Sequence, residues 1–133
     1  MNRSCAQLII LIAVAPLALG AIPAVITQIW RTNRHLTGIM AESSHAWRTL
    51  NPEYRYLLYN HTEARALVEQ VYPTALAVYD ALPQDVMRAD LFRYIALFAH
   101  GGVYADIDTV PLLPLREWVL DRYVNLHHQI RCI

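Results

Sequence analysis

Two aspartates one residue apart, Asp106 and Asp108, are the side chains here best suited to chemistry, because paired carboxylates repel unless a cation lies between them. They end the run RADLFRYIALFAHGGVYADID, residues 88–108. Read as one strand from Val103, alternation puts Tyr104, Asp106 and Asp108 on one face, with the two carboxylates roughly 6–7 Å apart. Such a pair predicts a seat for Mn²⁺ or Mg²⁺, hard cations that take a few carboxylates and complete their shell with diphosphate oxygens. The bland alternative is a solvated turn; the apolar strand ahead of the pair favours the metal. Upstream, Asp90 and Arg93 share one face of a mostly apolar helix, where a charged pair costs more desolvation than it recovers, so they are read as lining the same site. Tyr104 is placed to bond a ligand phosphate or to orient Asp106. Trp30 is placed to stack on a flat ring or to fill the core. His100, His127 and His128 lack ligand spacing with a third group and are read as structural or exposed.

The pattern of the chain predicts alternating strands and helices to hold these residues. Residues 22–30 read as a buried strand, and about 36–50 as a helix stopped by Asn51-Pro52. A second strand over 54–59 precedes a helix over 62–71 with Thr62 as its N-cap. Pro73 and Pro83 bracket a short helical piece, and a long helix runs from there to His100. Gly101 supplies the left-handed stop, Gly102 a tight turn into the next strand, and 115–123 a last helix. This order predicts an α/β fold with a parallel, doubly wound sheet and ligands at the carboxyl ends of its strands.

Composition narrows the class of function. The 133 residues suffice for one small domain, and formal net charge is zero with no basic run, which leaves no electrostatic footprint for nucleic acid. Cys5 to Ala21 is nearly all apolar, so residues 1–21 read as a signal anchor or a cleaved signal peptide and make a membrane the partner of that segment. Cys5 and Cys132 are not expected to pair. Asn60-His61-Thr62 matches a glycan acceptor, in keeping with a lumenal location.

The strings IPAVITQIW, AWRTLNPEYRYLLYN and RADLFRYIALFAHGGVYADIDTVPLLPLREW resemble the DXD-containing sugar-binding region of glycosyltransferase family 32. The resemblance covers residues 22 to about 118. Asp108-Thr109, the following Pro-Leu and Trp118 look most like fungal initiation-specific α-1,6-mannosyltransferases, with inositol-phosphorylceramide mannosyltransferases next nearest. It implies a GT-A-like nucleotide-diphospho-sugar transferase fold, a Rossmann-like sheet with flanking helices, over residues 22–133 and incomplete at its C-terminus. It further implies transfer of mannose from GDP-mannose, with retention, to a glycan or glycolipid acceptor on the lumenal side of the Golgi or endoplasmic reticulum membrane. Asp106 and Asp108 would hold Mn²⁺ (or Mg²⁺) on the diphosphate, with Asp106 also contacting the ribose or sugar. Asp90 and Arg93 would bind the transferred sugar and stabilise charge, Tyr104 would line the donor site, and Trp30 would stack on the base. Where the family carries Lys and His in its first strand, this chain has Ala24 and Thr27, which puts contacts made there in question. Family members also continue well beyond the DXD, so the alternative expectation is a truncated, non-catalytic member that at most binds nucleotide sugar or a partner.

Overall fold

Alternation along one short strand decides how the sheet is covered. In β2 (Val25–Ile29), Ile26 packs with Trp47, Val103, Ala105 and Leu115, whereas Ile29 packs with Ala64, Val68, Phe92 and Tyr104 on the opposite face. Both faces are therefore buried, and β2 carries helices on each side. In the computed structural model, residues 11–13, 22–118 and 130–132 are described.

The sheet order is β1-β4-β2-β3, formed by Leu11–Ala13, Gly102–Tyr104, Val25–Ile29 and Arg55–Tyr59. Strands β4, β2 and β3 run parallel, while β1 is antiparallel to β4. Helix α1 (Gly38–Leu50) covers one face through Trp47. Helices α2 (His61–Val71), α3 (Leu76–Ala81) and α4 (Asp85–His100) cover the other. A hairpin-like pair, β5 (Thr109–Pro111) with β6 (Ile130–Cys132), and the short α5 (Leu115–Trp118) complete the described elements. This is a mixed α/β architecture with a small parallel sheet.

Several expectations need correcting. Helix α2 is capped by Asn60, not Thr62: the Asn60 side chain accepts from the Glu63 N–H at 2.9 Å while the Glu63 carboxylate accepts from the Asn60 N–H at 3.0 Å. The Asn60 amide nitrogen also donates one of its two hydrogens to Asn33 Oδ1 at 3.3 Å. The strand predicted to run through Asp108 stops at Tyr104, and Ile107-Asp108 is a turn. Helix α4 is less enclosed than its composition suggests, since Val86, Met87, Tyr94 and Phe98 are exposed. Gly101 and Gly102 both have positive φ, and a Cβ on Gly102 would sit 2.3 Å from the Val25 carbonyl oxygen, so only glycine lets β4 lie against the entry to β2.

Leu11–Ala13 apart, the segment read as anchor or signal lies outside the described residues, as do Cys5, His127, His128 and the helix expected beyond Trp118. No helix among the described residues is long and apolar enough to cross a membrane.

Candidate functional site

The strand order changes direction at β2. The chain leaves β2 for β3 on one side and returns to β4 on the other, so the loops after β2 and β4 part and open a crevice at their carboxyl ends. A cavity of about 410 Å³ occupies it. Its lining includes the six side chains read as candidate donor-site residues: Trp30 at the end of β2, Asp90 and Arg93 from α4, and Tyr104, Asp106 and Asp108 from the end of β4 and its turn. Trp30 is thus at the cleft and not in the core, with the Arg31 guanidinium 5.3 Å from its ring centre.

Arg93 is the electrostatic centre of this cleft. Its side chain is 7% exposed, and Nη2 donates to Asp90 Oδ1 at 2.5 Å and, more loosely, to Asp106 Oδ1 at 3.4 Å. The guanidinium lies 5.2 Å from the centre of the Tyr104 ring, a cation–π contact sheltered from water. Arg93 Nε has no partner among the described residues, so the group keeps an unused donor. Burial, with the charge of Asp106 adding to it, pushes the Tyr104 hydroxyl far above its ordinary range and keeps it neutral. Asp90 is half exposed at 53%, so one side of its carboxylate is held by Arg93 while the rest faces the opening.

The two aspartates differ in environment. Asp108 is exposed, whereas the Asp106 side chain is 24% exposed. Burial pushes the Asp106 carboxyl up to about 6; Arg93 opposes that shift, and the negative charges of Asp108 and Asp90 add to it. A cation between Asp106 and Asp108 would relieve both the burial and the repulsion. Among the described residues no group of three or more His, Cys, Asp or Glu could hold a metal by itself. Asp106 and Asp108 could supply two oxygen ligands to a divalent cation, the rest of whose shell would come from water or a bound substrate.

Strand alternation does not hold the aspartates in the cleft; a buried brace on the main chain does. The Asp106 carbonyl accepts from Gln28 Nε2 at 3.0 Å and from Thr109 Oγ1 at 2.6 Å, and from the Thr109 N–H at 3.2 Å. Gln28, fully buried, accepts from the Tyr56 hydroxyl at 2.5 Å and donates to Ser43 Oγ at 3.2 Å. Ser43 Oγ and Trp47 Nε1 in turn donate to the Thr109 carbonyl at 2.6 and 2.9 Å. Sequence reasoning passed over Gln28, Ser43 and Thr109. Gln28 carried a readable signal: an amide in the middle of a buried β-branched run must find partners. His61 and Asp85, 3.4 Å apart at the cavity's edge, were also missed.

Known proteins are similar to this chain in sequence. Residues 40–125 match the glycosyltransferase sugar-binding region containing DXD motif. An initiation-specific alpha-1,6-mannosyltransferase of Candida albicans is 42% identical over 88 residues, covering 64% of this chain and 23% of the relative. An inositol phosphoceramide mannosyltransferase of Schizosaccharomyces pombe is 34% identical over 106 residues, covering 75% of this chain and 30% of the relative. A mannosyl phosphorylinositol ceramide synthase of Saccharomyces cerevisiae is 31% identical over 87 residues, 65% of this chain and 22% of the relative. The chain spans about a quarter of the length of these curated relatives. No solved structure matches it significantly. With Asp106 and Asp108 inside the matched stretch and lining one cleft with a buried arginine, the chain belongs to the glycosyltransferases whose sugar-binding region contains the DXD motif.

Proposed function

We propose that the cleft is the donor site of a mannosyltransferase domain of GT-A type, which takes GDP-mannose with Mn²⁺ (or Mg²⁺) and passes mannose, with retention, to a glycan or glycolipid acceptor in the Golgi or endoplasmic reticulum lumen. The single observation that carries this reading is the convergence of Trp30, Asp90, Arg93, Tyr104, Asp106 and Asp108 on one crevice at the strand ends. That the relatives are mannosyltransferases supports mannose as the sugar. The nearly all-apolar run from Cys5 to Ala21 supports membrane attachment or export, although Leu11–Ala13 within it pair with β4.

Asp106 and Asp108 would hold the cation against the diphosphate. When bound, that cation supplies Lewis acidity for the departing nucleoside diphosphate. Arg93 already sits desolvated beside Asp106, so its charge is oriented before ligand arrives and needs no reorganisation to stabilise developing negative charge. Asp90, fixed on one side by Arg93, presents its free oxygen to sugar hydroxyls. Trp30 offers a face to the base, and Tyr104 backs the guanidinium from beneath.

Calorimetric titration of GDP with and without Mn²⁺, on the wild-type chain and on Asp108→Ala, tests the reading. Binding should need the metal and fall by about tenfold or more in the variant, the scale of losing one charged ligand. Undetectable or metal-independent binding would overturn it. Transfer from GDP-mannose to an added mannoside acceptor, measured alongside, separates a working transferase from a chain that only binds donor.

A further inference from the structure

A second and larger hollow lies on the other side of the segment that follows Trp30. It has a volume of about 980 Å³ and is walled by one stripe of α1 and by the edge strand β3. From α1 come His45 and Arg48, from the preceding segment Asn33 and Arg34, and from the β3 side Tyr54 and Tyr56. No carboxylate lines it. Arg65, Arg88, Arg93 and Arg116 each have an acidic partner. Arg34 and Arg48, by contrast, form no ion pair among the described residues. Of the glutamates near the lining in sequence, Glu53 faces Arg116 at 3.7 Å, Glu63 accepts from the lining Asn33 and from the Asn60 N–H, and Glu42, beside Ala41, is exposed.

The hollow also has an ordered aromatic wall. The Arg48 guanidinium lies 5.7 Å from the centre of the Tyr56 ring, and the Tyr56 hydroxyl is tied to Gln28 Oε1. Arg48 is thus restrained over a ring that is itself restrained, so less side-chain entropy is lost when it meets an anion. Tyr54, half buried, leaves an aromatic surface beside those charges. A guanidinium pair recognises phosphate through forked hydrogen bonds, and an adjoining aromatic ring suits the apolar face of a pyranose.

We propose that this groove is a binding site, separate from the donor cleft, for a phosphorylated hexose, its phosphate facing Arg34 and Arg48 and its ring against Tyr54. The proposal does not rest on the donor reading, because the two sites share no lining residue.

The test is calorimetry on the full chain with mannose 6-phosphate, mannose and inorganic phosphate as probes. Mannose 6-phosphate should bind at least about tenfold more tightly than either fragment, since ring and phosphate each contribute. Arg48→Gln and, independently, Arg34→Gln should each weaken it about tenfold with an unchanged circular dichroism spectrum. Asp108→Ala and removal of Mn²⁺ should leave it unchanged. Equal affinity for inorganic phosphate, retention in both arginine variants, or loss in Asp108→Ala would each overturn the proposal. Methyl α-mannoside 6-phosphate tells the source: binding equal to the free sugar supports a glycan-borne ester at this site, and binding of the free sugar alone supports a soluble one.

Discussion

A carboxylate must be ionised to hold a cation, and Asp106 sits where ionisation is costly. With its carboxyl pushed up to about 6 by burial, cation binding below that pH has to expel a proton. Apparent Mn²⁺ affinity should therefore fall about tenfold per unit as pH drops below 6 and be flat above 7. Titrations at stepped pH check this, and a flat profile down to pH 4 would discount the burial of Asp106. Stability without metal runs the other way. The folded state holds this proton more tightly than the unfolded chain does, so the metal-free protein should lose stability as pH rises from about 4 to 6. Thr27 carries a different cost. It is fully buried with Oγ1 unpartnered among the described residues, so Thr27→Val should raise stability by about 1 kcal/mol in chemical denaturation.

At the scale of elements, the seam between β4 and the start of β2 controls whether the DXD turn is in place. Gly102→Ala would drive a methyl into the Val25 carbonyl from a backbone with φ of +80°, and should cost at least about 2 kcal/mol in thermal or urea unfolding. A loss below about 0.5 kcal/mol would show that the strands can part cheaply. Much of this layout was legible in advance. Spacing alone placed Asp90 beside Arg93, and the Gly101-Gly102 pair marked the end of α4. The Asn60-x-x-Glu63 capping box was also written in the sequence, but a threonine two residues on drew the eye. The end of β4 was not legible. Period-two alternation continues through Asp108, and the turn is held by Thr109 bonding back to the Asp106 carbonyl together with long-range bonds from Gln28 and Ser43, 78 and 66 residues away in sequence from Asp106 and Thr109. Local pattern carries no record of such partners. Asp106 and Asp108 line one cavity all the same, because a turn can bring two carboxylates together as well as a strand face can.

For the molecule as a whole, residues 31–37 form an irregular connection between Trp30, which lines the cleft of Asp106 and Asp108, and α1, and Asn33, Arg34 and Leu36 within it line the arginine-bearing groove. Hydrogen exchange should show the amides of β2 and β4 as the slowest to exchange, since both strands are buried on each face. Residues 31–37 should be fast and become protected when GDP and Mn²⁺ bind. Unchanged exchange there at saturating ligand would place the nucleotide elsewhere. The matched relatives are about three to four times longer than the aligned region. In this chain the DXD turn is pinned through the oxygen of the Asp106 peptide, an atom every amino acid possesses. A lineage could therefore exchange Asp106 for a neutral residue, shed its cation, and still inherit an intact architecture; in such a descendant, shape would be no witness to activity.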